Sequence, residues 1–112
     1  MDRDDQVSYA VEILASAQNE LEDIALLYLM LSGPESAENI MNKILDAVDR
    51  LSRFPLSGPY IRDAELRDAG YHFLVIERYI LIYRLINDQV FVYHIFDGRS
   101  DYLSLFRNEL QL

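Results

Sequence analysis

Eight arginines stand in residues 50–112, while the whole chain has one lysine, Lys43. A guanidinium makes planar two-point contacts with phosphate or carboxylate that an ammonium does not, so chemistry on an anion is the first possibility. Arg84 shares one face of an extended run with Ile80, Ile82 and Ile86. A charge among branched apolar residues needs a partner: a carboxylate across the sheet, or an anionic ligand in a concave site. Arg99 and Tyr102 close the segment Ile95-Phe96-Asp97-Gly98-Arg99-Ser100-Asp101-Tyr102. There Arg99 has Asp97 and Asp101 within pairing reach, and Tyr102 can cover a sheet edge. Arg62, Arg67 and Arg78 flank a polar stretch and the hairpin after it, placed to bind phosphate or the acidic surface of a protein. Alternatively they form a solvated rim paired weakly with Asp63, Glu65, Asp68 and Glu77. His72 and His94 read as hydrogen-bonded core imidazoles. With no cysteine and no matching carboxylate spacing, no metal site and no cofactor are expected.

The elements that must position these groups are legible from periodicity. Val7, Tyr9, Val11 and Ile13 alternate with Ser8, Ala10 and Glu12, the pattern of a half-buried strand. Ser16 is a candidate cap for a helix whose stripe is Ala17, Leu21, Ile24, Ala25, Tyr28 and Leu31. Gln18, Glu20, Glu22 and Asp23 crowd its first turns. Ser32-Gly33-Pro34-Glu35 ends it and starts a second helix, with Ser32 and Glu35 at capping-box spacing. Ala37, Ile40, Met41, Ile44, Leu45, Val48 and Leu51 form the second stripe, and the short link predicts an antiparallel hairpin. Phe54-Pro55-Leu56-Ser57-Gly58-Pro59 interrupts regular structure, and Tyr60 to Gly70 reads as polar and mobile in part. Three strands follow: Tyr71–Ile76, Ile80–Ile86 and Val90–Phe96. Asn87-Asp88 supplies tight-turn chemistry between the last two. Tyr102–Phe106 reads as a short terminal helix or docked tail.

The expected fold is therefore α+β. An N-terminal strand, a two-helix antiparallel hairpin and a three-stranded antiparallel meander form one twisted sheet, with the helices packed on one face. All 112 residues suit a single domain, its core spanning about 7–106. With the acidic opening Met1-Asp2-Arg3-Asp4-Asp5 no signal peptide is expected, and no apolar run approaches the ~20 residues that span a bilayer. A cytoplasmic protein without membrane contact is expected. Residues 1–49 hold eleven carboxylates against Arg3 and Lys43, a net of −9, while residues 50–112 balance eight acids with eight arginines. That sign disfavours direct sequence-specific DNA binding by this chain alone. Five of the eight tyrosines, Tyr71, Tyr79, Tyr83, Tyr93 and Tyr102, cluster in the sheet region. Strand propensity explains most of that, and a docking partner also favours tyrosine.

The plan resembles the RelE/ParE superfamily of bacterial type II toxins. The likeness is carried by Phe54-Pro55-Leu56-Ser57-Gly58-Pro59 after a helical hairpin, by Tyr79-Ile80-Leu81-Ile82-Tyr83-Arg84, and by Val92-Tyr93-His94-Ile95-Phe96-Asp97-Gly98-Arg99-Ser100-Asp101-Tyr102. It runs from about Val7 to Phe106. The resemblance implies a toxin, in some systems serving plasmid stabilisation, neutralised by a cognate antitoxin whose extended segment wraps it. ParE-like members inhibit DNA gyrase; RelE-like members cleave messenger RNA on the ribosome.

The RelE pattern is incomplete here. The arginine of its central-strand motif is replaced by Ile80, and the histidine of its closing motif by Asp97, giving Asp97-Gly98-Arg99. RNA cleavage needs a base for the 2′-hydroxyl, an acid for the leaving oxygen and cations for the phosphorane. Arg84 and Arg99 can supply charge and Tyr102 a proton, so these three are the candidate catalytic residues. Only Glu77 or Asp97 is left as base. The resemblance thus favours a ParE-like toxin, with Arg62, Arg67, Arg78 and Asp97 meeting its target or partner. The alternatives are a RelE-type endoribonuclease and a non-toxic, antitoxin-binding relative.

Overall fold

A computed structural model describes residues 8–112; the expected start of the first strand at Val7 lies outside them. Among the described residues the elements are β1 (Ala10–Ile13), α1 (Ala15–Ser32), α2 (Pro34–Leu51), α3 (Ala64–Asp68), β2 (Tyr71–Ile76), β3 (Tyr79–Ile86), β4 (Gln89–Asp97) and α4 (Tyr102–Leu110). The sheet order is β1-β4-β3-β2. The last three strands form the expected meander, and β1 joins its edge parallel to β4, with Ala10 opposite Gln89 and Ile13 opposite Val92. Asn87 and Asp88 both take positive φ, 50° and 65°, as a two-residue hairpin turn demands.

The helix ends differ from expectation. Leu14, not Ser16, precedes α1, and its side chain makes no cap. Its N–H instead donates to the Val92 carbonyl at 3.0 Å, so the chain passes from the β4 ladder straight into the helix. Ser16 is thereby already inside the first turn. The capping box is also absent: Ser32 is still helical, and Gly33 alone links the two helices at φ 92°. Its N–H donates to the Leu29 carbonyl, and Pro34 occupies the first position of α2. A one-residue link leaves Ser32 no room to act as a cap.

Two cores sandwich the sheet. Ala17, Leu21 and Ile24 of α1 and Ile40, Ile44, Val48 and Leu51 of α2 pack on Tyr79, Leu81, Tyr83, Val90, Val92 and Ile95. On the opposite face, Ile80 and Ile82 meet Tyr71, Ile61, Leu66 and Phe106. The helical hairpin therefore covers one face, as expected, and the short α3 and α4 cover the other. This explains why β3 is apolar on both faces. Tyr60–Gly70 is tied down as well: Ile61 N–H donates to the Tyr71 carbonyl, Phe73 N–H to that of Pro59, and Asp63 caps α3 by accepting from Leu66 N–H.

One residue breaks the alternation of β4. Ile82 faces His94 while Tyr83 faces Val92, so Tyr93 is inserted as a bulge. Residues Val90 and Val92 point to the hairpin, whereas Tyr93 and Phe96 pack on the α4 side. Strict alternation would set His94 on one face with both Val92 and Phe96; with the bulge it shares a face only with Phe96, on which it stacks at 4.5 Å.

Candidate functional site

Three of the sequence-derived candidates meet where β3 begins and β4 ends. Tyr79 pairs with Asp97, and Gly98 N–H donates to the Arg78 carbonyl at 2.7 Å. The Asp97 carboxylate accepts from Arg99 Nε at 3.1 Å, Arg99 Nη2 at 2.9 Å and the Arg99 backbone N–H at 2.9 Å. Arg78 Nε lies 3.6 Å away on the other side. The hydrogen bonds from the Arg99 side chain and backbone outweigh partial desolvation and hold the Asp97 pKa down to about 2. Asp97 is thus an anion throughout the physiological range and unsuited to take a proton. The Arg78 guanidinium also lies 5.5 Å from the Tyr79 ring and 6.0 Å from that of Tyr28, within cation–π range. Tyr102 opens α4 nearby and stacks on Phe96 at 6.3 Å.

Arg84 lies elsewhere. It pairs with Phe91, five residues along β3 from Tyr79, about 17 Å at the rise of a strand. No carboxylate across the sheet holds it: among the described residues none pairs with it. The guanidinium lies 4.5 Å over Tyr71, donates twice to the Tyr93 hydroxyl (2.8 and 3.1 Å) and once to the Ala69 carbonyl (3.2 Å). A flat, weakly hydrated cation is satisfied by rings and dipoles where an ammonium would not be. Arg67 belongs to this same end, exposed on α3 with Asp68 at 3.3 Å, and Arg62 is exposed just before it. The candidates therefore divide into Arg78, Asp97, Arg99 and Tyr102 at one end, and Arg62, Arg67 and Arg84 at the other.

His72 is a core imidazole, its Nδ1 2.7 Å from the Gly58 carbonyl oxygen and its ring stacked on Tyr83. His94 is buried between carboxylates. Arg107, not singled out in the sequence, fastens α4 to α3 through Asp63 (2.9 Å) and Glu65 (2.7 Å). Nothing local marks it, because its partners lie more than forty residues away.

The larger omission is the outer face of α1. Leu26, Leu27, Leu29, Met30 and Leu31 are all exposed, the last two at 75% and 74%, although Leu31 was expected in the buried stripe. The signal was present: Leu26 to Leu31 is six consecutive apolar residues, and a helix on a sheet can bury only one side. An apolar face of this kind on a small protein is a candidate docking surface. It runs into a groove of about 240 Å³ lined by Asp23, Ile24 and Leu27 of α1 and by Arg78, Tyr79 and Asp97. The Tyr79 hydroxyl is buried there without a hydrogen-bond partner among the described residues, and burial pushes its pKa up. Helix face and strand-end cluster are thus one continuous surface.

Known proteins share this fold. The chromosomal ParDE TA system from P. aeruginosa is similar in fold, with a TM-score of 0.69 at 19% identity over 80% of this chain and 96% of that one. The RelBE2 toxin–antitoxin complex from Mycobacterium tuberculosis gives a TM-score of 0.59 at 25% identity, over 81% of this chain and 99% of that one. No curated protein sequence matches. The family model for the ParE toxin of the type II toxin–antitoxin system, parDE, matches residues 11–102, which span β1 to the start of α4. The chain belongs to the ParE toxin family of type II toxin–antitoxin systems.

Proposed function

We propose that this toxin acts in the cytoplasm by binding a protein target, DNA gyrase being the one the family suggests, and that a cognate antitoxin silences it by covering the outer face of α1. The carrying observation is the dispersal of the charged groups. An RNA-cleaving site needs base, acid and cations around one phosphate. Here Arg84 is engaged by tyrosines about 17 Å from the Asp97–Arg99 pair, and Asp97 has no affinity for a proton near neutrality. The acidic first half also opposes approach to ribosomal RNA. A rim of Arg78, Asp97 and Arg99 beside exposed leucines suits a protein surface instead.

Induction of the chain in cells separates the readings. Gyrase poisoning raises DNA-damage signalling while messages stay intact. Rapid cleavage of messages at ribosome-bound codons would establish the RelE-type alternative and overturn this proposal, and unimpaired growth would point to a non-toxic relative. Within the proposed reading, Arg99→Ala is expected to keep the fold, since the side chain is 71% exposed, yet to raise survival on induction at least about tenfold, as loss of an interface arginine does. Wild-type killing by a correctly folded Arg99→Ala protein would place the target surface elsewhere.

A further inference from the structure

His94 is only 5% exposed, yet each of its ring nitrogens faces a carboxylate. Nδ1 lies 3.0 Å from Glu20 Oε2 on α1, and Nε2 lies 2.8 Å from Glu109 Oε1 on α4. A neutral imidazole has one N–H and one lone pair. In that form one of the two carboxylates would sit at hydrogen-bond distance from a lone pair, which is repulsive. Only the imidazolium donates to both. The carboxylates lie on opposite sides of the ring, so they do not converge on a metal.

We propose that His94 is a buried imidazolium strap that ties α1 and α4 to β4, and that loss of its proton releases the last turn of α4 from the sheet. The Tyr93 bulge sets this up, because without the inserted residue the strand alternation would turn the ring away from α4. The groups around the ring are few. Glu20 faces it from α1 and Glu109 from α4; Phe96 stacks on it at 4.5 Å and Phe106 meets it edge-on at 5.5 Å. No other charged side chain lies within hydrogen-bond distance among the described residues.

The two sides are unequal, which decides what deprotonation does. Glu20 is held independently, accepting the Ile95 N–H at 2.7 Å on the part of the β4 edge that β1 leaves uncovered. Glu109 is half-exposed and otherwise free to turn to water. The remaining proton therefore stays on Nδ1 toward Glu20, and Glu109 leaves. Phe106 in the core and Arg107 on Asp63 and Glu65 hold α4 as far as Arg107, and beyond it only the half-buried Leu110 packs on the core, so loosening is confined to the last residues of the helix.

Burial opposes the imidazolium, but the hydrogen bonds and charges of Glu20 and Glu109 outweigh it and hold the pKa above the ordinary 6.5. A raised folded-state value means that the stabilisation is complete below about pH 6.5 and disappears as pH climbs through the folded-state midpoint.

Proton NMR of the isotope-labelled chain tests this directly. The His94 Cε1–H resonance is expected to titrate with a midpoint above 6.5. Amide protection at the end of α4, corrected for intrinsic exchange, is expected to fall about tenfold or more through that midpoint, the scale of one charged hydrogen bond. Glu109→Gln alters an exposed side chain and keeps the fold; it should lower the midpoint and abolish the pH-dependent protection. A midpoint at or below 6.5, or one unchanged by Glu109→Gln, overturns the proposal.

Discussion

Gly58→Ala is expected to lower the thermal midpoint by about 10–20 °C. A β-carbon at Gly58 would fall on the Phe73 carbonyl oxygen and within 2.9 Å of the Tyr83 hydroxyl. Neither neighbour can yield. Phe73 lies in β2 and pairs with Ile82, and Tyr83 is fully buried, its hydroxyl accepting the Gly58 N–H at 2.9 Å. The Gly58 carbonyl also binds His72 Nδ1 at 2.7 Å. Backbone displacement would break both contacts and strand buried polar groups. Overpacking costs about 1–3 kcal/mol and an unsatisfied buried group about 1–3 kcal/mol more. Each kcal/mol is about 4 °C in a domain of this size. Differential scanning calorimetry reads the effect, and a midpoint within about 2 °C of wild type would mean that the Phe54–Pro59 link is not packed as described. The constraint is one of space, not backbone conformation: Gly33 and Gly70, not Gly58, are the glycines at positive φ.

The double variant Met30→Lys/Leu31→Lys is expected to cost about a hundredfold or more in affinity for the cognate antitoxin without unfolding the toxin. Both side chains project into solvent at the end of α1. Exposed substitutions usually change stability by no more than about 0.5 kcal/mol, and cations near a helix C-terminus oppose no dipole. An antitoxin seated on this face would lose two apolar anchors and meet two charges, and truncating even one interface hot spot removes about 2 kcal/mol or more. Lysine also reverses the local sign. The net of −9 over residues 1–49 suits a basic partner, which two ammonium groups would repel. Calorimetric titration of the purified pair measures the change, with circular dichroism as the folding control. Unaltered affinity would remove the outer face of α1 from the proposed interface.

These two positions differ in how readily they could be read from the chain. Six consecutive apolar residues on an 18-residue helix already imply an exposed apolar side. The demand at Gly58 arises from Phe73 and Tyr83, fifteen and twenty-five residues away, and nothing in Leu56-Ser57-Gly58-Pro59 reveals it. The candidate cations behave similarly. Arg99 lies two residues from Asp97, so their pairing was open to inference, whereas Arg78 reaches Asp97 only because strand pairing sets Tyr79 opposite it. Whether Arg84 could join them depended on strand register.

α3 excepted, the sequence alone yielded the first strand, the helical hairpin and the three-stranded meander with its Asn87-Asp88 turn. Each follows from hydrophobic periods of 2 or 3.6 residues and from turn chemistry spanning a few neighbours, so local pattern sufficed. Tertiary structure alone decided the parallel docking of β1, the Tyr93 bulge that aims His94 between Glu20 and Glu109, and the placing of α4 on the face opposite the hairpin. It also placed Arg84 about 17 Å along β3 from Asp97. The reason is physical: a shift of one residue in strand pairing turns every side chain beyond it to the other face, and register is set by packing between segments far apart in the chain.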